Sequence, residues 1–448
     1  MVTIRDGLGN ALTGASPASR DLYGEALKQF QIYAGDPVAT VDRALADSPG
    51  LVMGHALRAW LHLLGTEPAG PPVARAALDA AREAGRTLPA STQEKGHLAA
   101  IAHLLEGDWW AASRILEDVA IAHPRDALAL QVGHTIDFYT GNARMLRDRI
   151  ARVLPAWTGG MPGYHAVLSM HAFGLEETGD YARAEAAGRE AVALEPRDGW
   201  GQHAVAHVLE MQNRTSEGIA WMRANPEAWS ADSFFAVHNF WHLALYHLDR
   251  GEIDEVLALY DGPVRGGQSR VVLELIDATA LLWRLHLRGA DVGGRWDAVA
   301  DGWGSVGGAG AYAFNDWHAA MAFAAAGRPG AAEALLDAAR RAAAGAGDNA
   351  MFTRDIGLPL IQAVAAFGRG EMASAARLIR PVREIAHRFG GSHAQRDLID
   401  LTLIEAAFRG GDTALAAALV AERAAIRPHS PVTLDFVRRT GGLRRMAA

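Results

Sequence analysis

From about residue 90 the chain repeats one device: a helix-forming segment stops at a Gly-centred turn, and an Ala-rich helical segment follows. The turns are EGDWWAA at Gly107, TGNARML at Gly141, TGDYARA at Gly179, QNRTSEG at Asn213 and RGEIDEV at Gly251. RGADVGG at Gly289, AGRPGAA at Gly327, RGEMASA at Gly370 and GGDTALA at Gly411 continue the series. Successive spacings are 34, 38, 34, 38, 38, 38, 43 and 41 residues. One helix pair of this length cannot bury its own apolar face, so such a period implies stacked pairs, an α-solenoid. Gly or Asn suits the left-handed residue that stops the first helix of each pair. Alternating strand patterns are almost absent, and the chain is expected to be all-α.

The clearest single unit is HAFGLEETGDYARAEAAGREAVALEPRD, residues 171–198. Gly174, Gly179, Tyr181, Ala184, Ala191 and Pro196 there sit close to tetratricopeptide-repeat positions, which predicts a tetratricopeptide-like superhelix. Before the repeats, helices are expected at about 19–34, 37–47, 50–65 and 71–86, with the breaker GTEPAGPP between the last two. The expected organisation is N-terminal helical pairs over 1–89, tetratricopeptide-like repeats over 90–430, and a capping helix or tail over 431–448. That last segment, with weak apolar spacing, is expected to be dispensable for ligand binding.

The stretch 199–252 carries the chemistry. GWGQHAVAHVLEMQNR places His203 and His207 four apart, and SFFAVHNFWHLALYHLDRGE does the same with His238 and His242. Residues i and i+4 share one face of a helix, so each pair projects together. Glu210 extends the first stripe; Asn239 and Trp241 flank the second. Counted back from the turn residues, all four histidines fall on one broad face of the first helix of a repeat, the face that lines the concave groove of such arrays. His97, Trp317 and His318 share that registry. His134 and His171 fall where repeats pack their core, and His247 and His286 read as packing or surface residues.

The segments HAVAHVLEMQNR, with the following Trp221, and VHNFWHLALYHLDRGEIDEVLALYDGPV resemble the tetratricopeptide repeat protein 38 family. The N-terminal DLYGEALKQFQIYAGDPVATVDRALADSPGLVMGHALRAWLHLL is similar to the opening of that family. The resemblance implies a continuous helical superhelix and confers no reaction.

Three classes of function stay open. In the first, a binding protein holds a small polar molecule or a peptide in its groove through His203, His207, Glu210, His238, Asn239, Trp241, His242, Trp317 and His318. In the second, an enzyme uses the histidines as acid–base groups or as ligands of a divalent metal such as zinc, with His203, His207, His238 and His242 as the ligand set. HAVAH lacks the internal Glu of H-E-x-x-H, so the general base of that motif is missing. The third is a scaffold whose histidines stitch adjacent repeats together.

Composition trims the remainder. There are no cysteines, so disulfides, thiolate metal sites and a Cys nucleophile are excluded. A net charge of −8 gives no reason to expect nucleic acid, and no such partner is expected. Arg438, Arg439, Arg444 and Arg445 cluster near the C-terminus and read first as a solvated helix end, then as a phosphate or membrane contact. No apolar run is long enough to span a bilayer and the N-terminus lacks a signal-peptide pattern, so the chain is expected in the cytoplasm without membrane partners. Self-association is left open. The Gly-rich stretches 262–268 and 304–310 follow no strand, match no phosphate-loop motif, and read as linkers.

Overall fold

The structure, a computed structural model, describes residues 4–446, with side chains up to residue 441. The side chains of Arg444 and Arg445 lie outside the described residues. Helices and their connections account for the described chain, joined by two isolated β-bridges and no strand among the described residues. All nine turn residues named above have positive φ, from 55° at Asn213 to 88° at Gly107. That backbone is costly for residues with a Cβ, which is why Gly holds eight of the nine positions.

The N-terminal helices run Pro17–Ile32, Pro37–Asp47, Val52–Leu64 and Gly70–Thr87. The first begins with a capping box from Ser16 and Ser19 and Pro at its first position; Asp36 caps the second, which also starts on Pro.

The chain divides into two compact units. The first holds Met1–Val205 with Asn225–Ala236, and the second holds Ala206–Ala224 with Val237–Ala448. The first is a stack of antiparallel helix pairs, for example Thr92–Leu105 with Trp109–Ala122 and Tyr164–Glu177 with Tyr181–Leu194. The two members of a pair are unequal. Tyr164–Glu177 buries every residue from Ala166 to Glu177, whereas Tyr181–Leu194 buries only Ala184, Gly188 and Ala191. Gly174 marks a close crossing, since a Cβ there would stand 2.4 Å from the Leu146 carbonyl oxygen.

The second unit pairs Val272–Leu287 with Arg295–Val306, Ala313–Ala325 with Pro329–Ala343, Leu358–Gly368 with Met372–Ile379, and His393–Arg409 with Thr413–Ile426. Pro431–Met446 forms a further helix that packs on Thr413–Ile426 and buries Phe436. First helices here also touch beyond their neighbours. His393–Arg409 lies against Val272–Leu287, where Trp283 Nε1 donates to Thr402 Oγ1 at 3.0 Å and Arg284 donates to the Ala394 carbonyl at 2.5 Å.

The Gly-rich stretches behave as connections. Tyr260–Val264 forms a π-helical turn at the start of one, and in the other the Gly310 amide donates to the buried Asp316 carboxyl at 3.0 Å. No helix among the described residues is long and apolar enough to cross a membrane.

Candidate functional site

Helix Ala236–Asp249 presents His238, Trp241 and His242 from consecutive turns. Within the second unit the rings of His207 and His242 stand 4.5 Å apart, and those of His238 and His242 4.9 Å apart. Candidate ligand atoms of these three residues all lie within 4.8 Å of one another. His203 belongs to the first unit, one turn before His207 on helix Gly199–Met211, and its ring packs against Phe173, Trp200 and Phe235.

Carboxylates orient two of the three rings. His238 Nδ1 faces both oxygens of Asp277, at 2.9 and 3.0 Å, and His242 Nδ1 faces Glu210 Oε2 at 3.2 Å. An ionised carboxylate only accepts, so these partners assign the proton to Nδ1 and leave the Nε2 lone pair on the other side of each ring. Burial drives the protonated forms of His207 and His242 well below the ordinary imidazole range, the charge of each one's neighbouring histidine adding to it. At neutral pH both are lone-pair donors.

Trp241 stacks on His238, with centroids 5.3 Å apart, and the Arg284 guanidinium lies over the indole at 5.3 Å. Asp277 and Arg284 come from one helix, VLELIDATALLWRLHL, two turns apart on one face. Neither was a candidate in the sequence. Their signal was available: a carboxylate and a guanidinium at i and i+7 in a largely apolar helix, buried at 2% and 5% exposure.

The cluster expected to face the concave groove is largely enclosed. His207, Asn239, Trp241 and His242 are fully buried, because the first helices are packed on all sides. Only His238 and Glu210 keep modest exposure, so the cluster does not admit a peptide. Trp317 and His318 make their ring contacts with each other, Phe314 and Phe389, and His318 Nδ1 donates to the Phe314 carbonyl at 2.9 Å. Packing among apolar rings puts them in core rather than at a groove wall.

His97 is also buried. Its Nδ1 accepts from Trp60 Nε1 at 3.1 Å and its Nε2 faces Asp126 at 2.9 Å. The same stitch recurs where His165 meets Asp198 at 2.7 Å. In each case an imidazole on one repeat is tied to the carboxylate beginning the next.

No family model matches the chain. Among solved structures, the chain is similar to a human IFIT1 dimer with m7Gppp-AAAA, at 14% identity and TM-score 0.41, over 96% of this chain and 94% of that one. A monomeric IFIT1 mutant with Gppp-AAAA gives 13% identity and TM-score 0.42, over 96% of each chain. Naa15/Naa10 bound to HypK-THB gives 13% identity and TM-score 0.27, over 96% of this chain and 67% of that one. At these scores the likeness carries no ligand across to this chain.

These neighbours do remove one expectation. IFIT1 was solved with capped and triphosphorylated oligonucleotides, and the exclusion of a nucleic-acid partner, which rested on net charge alone, is withdrawn. The physical reason is that −8 is a sum over the whole chain and says nothing about local charge. A cavity in the second unit is lined by eight arginines against five carboxylates. Residues of Pro431–Met446 help line it.

Proposed function

We propose that this chain is a helical-repeat binding protein whose buried histidine cluster takes a transition-metal ion, with zinc the best match to imidazole ligands. The observation that carries the reading is the anchoring of two imidazoles at Nδ1 by carboxylates, His238 by Asp277 and His242 by Glu210. Metal-binding histidines are held in this way, with the second nitrogen fixed and the first turned to the ion. A structural stitch needs one carboxylate per histidine. It gains nothing from bringing three imidazoles together, since every protonation among them is disfavoured by the others.

His207, His238 and His242, all in the second unit, are the ligand set; His203 lies in the first unit. Tetrahedral ligation at about 2.1 Å spaces nitrogens by about 3.4 Å, so the rings must close by on the order of an ångström around an ion. The segments that carry the resemblance to the tetratricopeptide repeat protein 38 family are the same ones that build this cluster. We assign the chain to that family on this basis; a family alignment lacking these histidines would overturn the assignment.

The test of the metal reading is direct. Protein stripped with chelator and dialysed against limiting Zn²⁺ or Co²⁺ should retain one ion per chain, and the cobalt form should show the visible absorption of a tetrahedral site. His207→Ala and His242→Ala should lose the ion while keeping the helical circular dichroism of the parent. Retention of metal in both variants, or no uptake by the parent, sinks the reading and leaves a structural histidine network.

A further inference from the structure

The second unit contains a cavity of about 600 Å³, within the ~300–1,000 Å³ of small-molecule sites, and every residue lining it belongs to that unit. Three of its five carboxylates are neutralised by arginines in the same wall. Asp397 accepts from both terminal nitrogens of Arg423 at 2.6 and 3.0 Å, and Asp435 faces Arg438 at 3.2 Å. Glu405 takes Arg439 at 2.5 and 3.1 Å and Arg409 at 3.3 Å. The C-terminal pair Arg438 and Arg439, a phosphate candidate in the sequence, is thus already occupied.

Three arginines have no carboxylate at hydrogen-bond distance among the described residues. Arg284 donates to the carbonyls of Ala280 and Ala394, Arg288 to that of Leu248, and Arg427 to the Met211 sulfur. Glu210, the nearest carboxylate to Arg427, stands at 3.8 Å and already faces His242. Asp249 accepts from Ser430 at 2.8 Å, and burial holds its carboxyl above the usual range. Burial lowers Arg284 to about 10, which still leaves it cationic at neutral pH.

Arg284 is buried, Arg427 partly buried and Arg288 exposed at the cavity wall, and because their hydrogen bonds go to carbonyls and sulfur, only more distant carboxylates offset their charge. Their planar forks match the oxygens of phosphate. Near neutral pH the terminal phosphoryl of a diphosphate carries about two negative charges and the inner one about one, so a diphosphate group matches three cations.

We propose that this cavity binds a small phosphorylated molecule, with a diphosphate group held by Arg284, Arg288 and Arg427. None of the three arginines is a candidate metal ligand, although Glu210 lines the cavity as well as facing His242, so the two readings are tested separately.

Inorganic pyrophosphate is the probe, titrated calorimetrically into the full chain after chelator treatment so that no metal-bound anion is counted. The expected result is saturable one-to-one binding with Kd below about 1 mM, weakening as salt rises. Arg288→Gln and Arg427→Gln should each weaken it about tenfold with the ligand-free Tm retained. Arg427→Gln carries the test if Arg288→Gln does not fold. His103→Ala, an exposed site outside both clusters, should bind pyrophosphate as the parent does. Citrate distinguishes polycarboxylates from phosphates. Binding of citrate more tightly than pyrophosphate, no saturable binding of pyrophosphate, or unchanged affinity in the folded arginine variants would each overturn the proposal.

Discussion

His97 in the first unit and the His207–His238–His242 group in the second start from the same ingredients: buried imidazoles on first helices, close to a carboxylate. Around His97 both ring nitrogens are engaged by fixed protein partners, Trp60 and Asp126, and its ring packs edge-on against the Trp60 indole. In the second unit the carboxylates take one side of His238 and His242, and the rings turn toward each other. A histidine on the inner helix is therefore not informative by position. What separates glue from a ligand set is whether the second nitrogen meets a donor or another imidazole.

Breaking the comparison calls for the same substitution in both places. The largest effect is expected from His242→Ala, which should take metal content to background while His97→Ala leaves it intact; elemental analysis of both proteins decides. Loss of metal in the His97 variant would erase the distinction.

Acid should act on buried imidazoles in both units. Burial holds His134 in the first unit and His318 in the second at about 3, Arg149 and His171 adding to the effect on His134 and Arg284 to that on His318. A depressed imidazole stays neutral in the folded state while the unfolded chain takes up a proton below its ordinary pKa of about 6.5. Their stability contribution is present above about pH 6.5 and is lost as pH falls toward about 3, by up to about 1.4 kcal/mol per pH unit for each group. Denaturant midpoints measured between pH 7 and 4 should fall, and His318→Phe, if it folds, should flatten the slope.

His97→Ala strands the Trp60 indole N–H and leaves Asp126 with Gln93 and the Ala129 amide as donors, and a loss of about 1–3 kcal/mol is expected in urea unfolding. Asp277→Asn sharpens the other side. It keeps shape but weakens the anchor on His238, and metal affinity should drop about ten- to a hundredfold in competition with a chelating dye. The smallest effect belongs to His103→Ala, whose exposed pairing with Asp108 at 3.4 Å should be worth under about 0.5 kcal/mol by Tm.

The repeat frame was legible because each pair must end on a residue tolerating positive φ, and Gly107 through Gly411 marked those places in plain view. The i, i+4 histidine pairs were legible for the same reason: they depend only on local helix geometry. Burial of the cluster was not, since it depends on which helices come to lie over Ala236–Asp249, and helix Val272–Leu287 reads mostly as core despite Glu274, Asp277, Arg284 and His286. Trp317 and His318 illustrate the limit of registry. They occupy the same helical phase as the cluster, yet their neighbours are Phe314 and Phe389, and neighbours decide the role.

The contact between His393–Arg409 and Val272–Leu287 has a kinetic consequence. An open solenoid is nearly one-dimensional: each repeat leans on the next, ends fray, and folding can start anywhere. Here bonds join residues 110 and 119 positions apart, Arg284 to Ala394 and Trp283 to Thr402. Such contacts cannot form until the intervening repeats have nearly found their places, which raises contact order and slows the final step of folding. Once made, they join the ends of a run of repeats into a loop, so opening any one repeat strains the rest. The second unit should unfold as a block, while the terminal pairs of an unclosed array would peel away one at a time.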